Sequence, residues 1–190
     1  MGLAAYPVCL TQSQIDGATI TAAAATSMLP PRNVITLPNN YWREGRYWKI
    51  TASGRISCVV TTPGTARFDV RIGAVTAFDT LAMNLNIVAK TTVPWWLELI
   101  ISCRAVGGAG ATTNLMGQGK FISEAVIGSP LPTVGGNGLI MVPVGVAPAV
   151  GTSFDNTLAN AVDVRFTQTV ATGSFTCHQY QLEEWDRIDA

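Results

Sequence analysis

Charge is scarce in this sequence. Asp, Glu, Lys and Arg together make up 13% of the 190 residues, about half of the roughly 25% that is usual in soluble domains. A folded monomer of 20.1 kDa exposes on the order of 8,700 Å² of surface, and 12 acidic and 12 basic side chains cover that area thinly. We therefore expect other subunits to cover much of the surface.

Net charge is absent as well. It is zero at pH 7, with a pI of about 6.5, whereas nucleic-acid binding requires a basic patch and anionic membranes attract basic segments. No basic residue precedes Arg32 and no Asn-x-Ser/Thr site occurs, so we expect no standard secretory signal and synthesis in a reducing cytosol. The longest charge-free run, residues 125–154, contains four prolines, which argues against a membrane helix. Nucleic-acid and membrane partners are therefore not expected.

Residues suited to catalysis or metal binding are few. Metal sites usually bring two ligands within a few positions of each other, and the four cysteines are widely scattered, at Cys9, Cys58, Cys103 and Cys177. We expect them to be free thiols, mostly buried. His178 is the only histidine, and no serine lies in a Gly-x-Ser-x-Gly motif. Because His178 shares strand parity with Tyr180 and Leu182, we expect a packed, hydrogen-bonded imidazole. The sequence predicts no enzyme, no cofactor and no metal.

One strand dominates the pattern, starting at Pro94 and continuing to Arg104. Successive strand residues point to opposite faces, and the odd positions 95–103 form an unbroken apolar row. The even positions 96–104 mix Trp96 and Ile100 with polar side chains. This alternation predicts that Trp95 is in the core, and that Trp96 and Ile100 lie on the outer face, where subunits or an N-terminal arm would cover them.

Nine or so short strands are predicted from residue 34 onward, separated by Gly, Pro and Asn turns. Residues 67–72 show the cleanest alternation, with Phe68, Val70 and Ile72 inward and Arg67, Asp69 and Arg71 outward. No convincing long helix interrupts the series. We expect an all-β sandwich of jelly-roll type over residues 34–190.

Residues 1–33 differ from the rest, since Asp16 and Arg32 are their only charged residues. They lack strand alternation, so they have no obvious place in the core of the sandwich. The alanine patch at 22–25 is compatible with a short helix or with an extended segment lying on a neighbouring subunit. We expect an extended N-terminal arm that contacts either a second subunit or a partner shell.

Residues 41–48 (YWREGRYW) interleave aromatic and charged side chains. Carbohydrate- and nucleic-acid-binding surfaces show such patterns. The interpretation we favour is a bend whose aromatics anchor one end of the sandwich, with Arg43, Glu44 and Arg46 in water.

Several stretches together resemble small structural proteins from the heads of tailed bacteriophages. The likeness spans about residues 34–183. It rests on LPNNYW at 37–42, GR at 45–46, ASGRIS at 52–57, FDVRIG at 68–73, KTTVPWW at 90–96, Cys103-Arg104, NLMGQG at 114–119 and QYQLE at 179–183.

The resemblance implies a jelly-roll cement or decoration protein. Such proteins typically form homotrimers that stabilise a shell by contacts with the major capsid protein. The implied location is the capsid exterior of the virion, after synthesis in the host cytoplasm. The alternative is a carbohydrate- or receptor-binding jelly-roll adhesin of a head fibre or tail. An enzyme of cupin type would need metal-binding histidines that this sequence lacks. Candidate interface residues are Trp96, Ile100, Tyr41, Trp42, Tyr6 and Leu10.

Overall fold

The computed structural model describes residues 7–59, 63–107, 112–127, 138–149 and 154–185. Within these ranges the chain is almost entirely β, with two antiparallel sheets packed face to face. The predicted β-sandwich is confirmed. Its described part contains twelve strands, ten of them from residue 34 onward, where nine or so were expected, and two within residues 7–33, where none was.

Sheet 1 contains the long strands. Its spatial order is β1 (Pro7–Gln12), β12 (Ser174–Trp185), β4 (Tyr47–Cys58), β8 (Lys90–Ala105), β9 (Asn114–Ser123) and β10 (Leu139–Val142). Sheet 2 has the order β2 (Thr26–Ser27), β11 (Asn160–Gln168), β5 (Thr65–Ile72) and β6 (Val75–Asp79); β3 (Ile35–Leu37) also pairs with β11, and β7 (Met83–Asn84) with β5. The strand of 94–104 is thus part of β8, which runs between β4 and β9.

An aromatic cluster joins the two sheets in the core. Its five members are Phe68 and Phe166 from sheet 2 and Trp95, Phe121 and Phe175 from sheet 1. The Phe166 and Phe175 rings stack with centroids 3.9 Å apart, and Trp95 stacks on Phe175 at 4.7 Å. The Trp95 Nε1–H donates to the Thr176 carbonyl oxygen at 3.2 Å. Trp95 is 2% exposed, so its predicted core position is confirmed.

Residues 7–33 belong to the sandwich rather than to an arm outside it. β1 pairs with β12 and β2 pairs with β11, so the segment contributes to both sheets. Ile20, Met28 and Leu29 are buried in the core. The segment is extended, as expected, and ends in a 3₁₀ turn at Pro31–Asn33; the alanine patch forms bends rather than a helix. Alternation was missing because isolated residues, rather than one whole face, enter the core.

Glycine at position 117 lets the sheets approach each other. A Cβ there would overlap the ring of Phe78, which projects from β6 in the other sheet. The close packing of β6 on β9 therefore depends on the missing side chain.

Candidate interaction surface

The outer face of sheet 2 is covered by paired charges. Asp69 Oδ2 lies 2.7 Å from Arg71 Nε, and Asp163 Oδ2 lies 3.0 Å from Arg165 Nε. Across the strands, Arg165 is opposite Asp69 and Asp163 is opposite Arg71, the arrangement that stabilises neighbouring strands. No large apolar side chain in the described strands of this sheet is exposed. The outer face of sheet 2 is therefore suited to contact with solvent.

Asp69 points away from the core as predicted, and it is nevertheless buried. Cross-strand Arg165 and the ion-paired Arg71 cover it. Alternation predicts the face to which a side chain points, and only the packing of its neighbours decides whether water reaches it.

The outer face of sheet 1 has the opposite character. Five large apolar side chains on β8, β9 and β10 are between 36% and 53% exposed. They are Trp96, Ile100, Ile122, Leu139 and Met141, and we call them the apolar patch. Trp96 is opposite Ile122, and Ile122 is opposite Leu139, so these three form one continuous row across the strands. Trp96 and Ile100 lie on the outer face as predicted, and residues 7–33 do not bury them.

Two lysines share one carboxylate beside the apolar patch. The Glu98 carboxylate lies 3.7 Å from Lys49 Nζ and 3.4 Å from Lys120 Nζ. Arg104 differs: its guanidinium contacts the Met116 sulfur at 3.3 Å, and it has no carboxylate partner within the described ranges. The patch thus presents apolar surface with a positive margin, in which Arg104 is the cation outside the Glu98 ion pairs.

A depression of about 400 Å³ lies within this face. Ile100, Met116 and Met141 supply its apolar walls, and Arg104, Glu98 and Lys120 are also in its lining. We call it the hollow. Its walls carry flexible methionines, which adapt to irregular apolar partners.

A second apolar feature is the loop of residues 86–89, between β7 and β8. Ile87 and Val88 are 54% and 52% exposed, although Asn86 beside them is buried. The Asn86 amide Nδ2 donates to the Glu124 carbonyl oxygen at 3.3 Å, and its Oδ1 accepts from Val88 N–H at 2.9 Å. The backbone N–H of Asn86 donates to the Ala125 oxygen at 2.8 Å. The loop is therefore held firmly while it presents two aliphatic side chains to water.

Residues 41–48 anchor one end of the sandwich, as the favoured interpretation predicted. Trp42 and Trp48 are buried with ring centroids 4.3 Å apart. Trp48 Nε1–H donates to the Tyr41 hydroxyl at 2.8 Å, and that hydroxyl donates to the Glu184 carboxylate. Burial, followed by the bond to Glu184, raises the pKa of Tyr41. Trp42 is therefore a core residue, which leaves almost none of its side chain for a partner.

Arg46 is not in water, contrary to its prediction. Its side chain is 12% exposed, its Nε lies 3.3 Å from Glu184 Oε1, and its guanidinium lies 4.4 Å from the centroid of the Tyr41 ring. Arg43 and Glu44 are exposed as expected. Tyr41 is half-buried in this network, so it has little free surface for a partner.

The prediction for His178 is wrong in its burial. A β-bulge between Cys177 and Gln179 shifts the register against β4, and His178 is exposed instead of facing inward with Tyr180 and Leu182. Its Nδ1 lies 3.0 Å from Asp16 Oδ1. This solvent-exposed pair holds residues near Asp16 against β12.

The remaining predicted residues have simple positions. Leu10 on β1 is half-buried against the core, and Tyr6 lies outside the described residues. The four cysteines are free, with Cys9 exposed and the others buried. The described ranges hold no group of three or more His, Cys, Asp or Glu side chains placed to bind a metal ion. Among the helices that the structure describes, none is long and apolar enough to cross a membrane.

No protein-family model, curated protein or solved structure matches the chain. The surface features that suit a partner are the apolar patch, the hollow and the loop of residues 86–89. Sequence reasoning identified Trp96 and Ile100 but missed Ile122, Leu139 and Met141. The alternation of 118–122 on β9 contained the signal for Ile122, because Gln118, Lys120 and Ile122 share one face.

Proposed function

We propose that the protein is a virion structural protein that assembles as a homotrimer and decorates or cements the exterior of a bacteriophage capsid. The observation that carries the proposal is the contrast between the two outer faces: one has paired charges, and the other has the apolar patch. A molecule of this kind has one side for water and one side for another protein.

The size of the apolar patch supports an assembly role. At roughly 200 Å² per large side chain, the exposed fractions sum to about 450 Å² of apolar surface, the size of the largest apolar patch on a typical soluble monomer, which is often functional. Polar neighbours such as Gln118, Lys120 and Ser102 extend the area toward the roughly 800 Å² that each partner buries in a standard interface. The scarcity of charge in the whole sequence favours the same conclusion.

The capsid as the partner comes from the resemblance of residues 34–183 to head proteins of tailed bacteriophages. Decoration stabilises a shell by bridging subunits, which requires protein–protein contacts and no chemistry. The major capsid protein is then the second partner, and the protein itself is the first.

Two measurements test this function. Light scattering should give a mass of about 60 kDa for the purified protein, because three chains of 20.1 kDa assemble; a monomer at micromolar concentration would refute the proposal. The protein should also co-sediment with shells made from the major capsid protein encoded in the same genome. Ile122→Asp should reduce that binding, and Leu158→Asp, an exposed apolar residue outside both sheets, is the matched control.

A glycan-binding adhesin is the second candidate, favoured by the surroundings of Trp96. Its indole adjoins a depression of about 470 Å³ that Arg55, Gln179 and His178 also line. An exposed aromatic ring with amide and guanidinium groups beside it can stack on a sugar and bond its hydroxyls. Binding on a glycan array that Trp96→Ala abolishes and Ile100→Asp preserves would favour this candidate over the structural one.

A further inference from the structure

We propose that copies of this protein associate head to tail, with the loop of residues 86–89 of one copy inserted into the hollow on sheet 1 of the next. This inference rests on the proposed homo-oligomeric function and specifies the contact. The partner is a second copy of the same chain, because the chain carries both an apolar hollow and an exposed apolar loop that matches it.

The two features match in chemistry. Ile87 and Val88 each leave more than half of their surface in water, and the hollow offers Ile100, Met116 and Met141 as walls. Its volume of about 400 Å³ is that of a small-ligand pocket and has room for two aliphatic side chains. Covering these groups in one contact removes apolar surface of both copies from water.

The charges at the margins of the two features also match. Arg104 at the hollow has no carboxylate partner among the described residues, whereas Glu124 lies beside the loop and leaves 65% of its side chain exposed, although it pairs with Lys90 at 3.4 Å. Inserting the loop brings an acidic group toward an unpaired cation. Such complementarity selects one orientation and disfavours others.

The loop is preorganised for binding by contacts within its own chain. The buried Asn86 holds its backbone from both sides, and the Cys58 sulfur contacts the carbonyl oxygens of Asn86 and Val88 at 3.8 and 4.0 Å. A segment already fixed in its bound shape loses little conformational entropy on association. A rigid loop that exposes two aliphatic side chains has no advantage for the isolated chain, whose solubility it lowers.

The loop cannot fill the hollow of its own chain. Asn86 fixes the loop to Ala125, seven residues along from Gln118, the residue opposite Ile100, so about 23 Å separates the loop from that part of the hollow at 3.3 Å per residue. The contact must therefore join two different surfaces of two copies, which is a heterologous interface. Such an interface forms a ring when its rotation closes, and closure after three copies gives the proposed trimer.

Two variants, each of which loses one of the two surfaces, test the inference. Val88→Asp disables the loop, and Ile100→Asp disables the hollow; both positions are exposed, so each variant should keep the circular dichroism spectrum of the wild type. Sedimentation velocity should show each variant alone as a monomer of about 20 kDa, at concentrations where the wild type and Leu158→Asp are trimers. An equimolar mixture should form pairs of about 40 kDa, because one intact loop can enter one intact hollow but the ring cannot close.

Other outcomes would overturn the inference. A Val88→Asp protein that remains trimeric, with Ile87→Asp behaving likewise, would show that the loop is not at the interface, although the proposed oligomeric function would stand. A mixture that remains monomeric would show that the two surfaces do not bind each other. A wild-type monomer would refute both this contact and the proposed function.

Discussion

Trp95 and Trp96 are neighbours in sequence whose replacement should have different consequences. Trp95 is 2% exposed and lies in the aromatic cluster, whereas Trp96 is 42% exposed on the apolar patch. The perturbation is alanine at each position in turn. The two variants remove the same side chain from adjacent sites, so each serves as the control for the other.

The expected magnitudes follow from burial. Trp95→Ala should lower the free energy of unfolding by about 3–5 kcal/mol, with about 1 kcal/mol more for the lost bond to Thr176. Trp96→Ala opens no closed cavity; the fold buries about 145 Å² of its roughly 250 Å², so at 25 cal/mol per Å² the change should cost at most about 3.6 kcal/mol. In the assembly, the exposed 42% of a surface of roughly 250 Å² is about 100 Å², worth about 2.5 kcal/mol at 25 cal/mol per Å². Its loss should weaken association about 70-fold.

Urea unfolding followed by far-ultraviolet circular dichroism measures the fold, since it does not depend on the removed indole. The titrations should be made below the dissociation concentration, because assembly adds to apparent stability. Sedimentation velocity over a dilution series measures association. If Trp96→Ala leaves the dissociation constant unchanged, the apolar patch is not the assembly surface. If it destabilises the monomer as much as Trp95→Ala does, the assignment of the two faces is wrong.

Three further outcomes are expected. Deleting residues 1–33 should leave a chain without the native circular dichroism spectrum, because β1, β2 and the buried Ile20, Met28 and Leu29 are lost. Each of the three buried side chains contributes about 2 kcal/mol or more to the free energy of unfolding. A folded truncated protein would contradict the packing of this segment. At pH 8 a thiol reagent should label Cys9 quickly and the other three cysteines only after denaturation, because burial raises the pKa of Cys103 to about 11 and that of Cys177 to about 12. Since folding favours the protonated thiols, their contribution to stability is complete below about pH 9 and is lost as the pH rises through 11 to 12. The urea concentration at the unfolding midpoint should therefore be lower at pH 10.5 than at pH 8. His178→Gln should change the free energy of unfolding by at most about 1 kcal/mol, since the pair with Asp16 is exposed; a larger loss would give the imidazole a role that its contacts do not explain.

Strand alternation predicted most of the features that concern single faces. It placed Trp95, Leu97 and Leu99 in the core, and Trp96 and Ile100 outside it, because a side chain's direction follows from its parity within a regular strand. The same argument failed at His178. The bulge beside Cys177 adds a residue to one strand, and such an addition reverses the parity of the residues on one side of the bulge relative to those on the other.

The N-terminal segment shows a different limit. Residues 7–33 carry no alternation, yet Met28 and Ile20 are in the core and β1 extends sheet 1. Backbone pairing with β12 and β11 holds the segment, and hydrogen bonds between strands depend little on which side chains they carry. A pattern of side chains therefore could not distinguish this segment from a free arm.

By itself, the sequence determined the class of fold, the inward and outward rows of β5 and β8, and a low content of charge. These properties are local or compositional, so they can be read without knowing which strands meet. Only the tertiary structure decided that Trp96, Ile122 and Leu139 form one row, that Arg46 pairs with Glu184, and that Asn86 anchors the loop of residues 86–89. Each of these depends on contacts between residues that are distant in sequence, and a pattern along the chain does not show which distant residues are in contact.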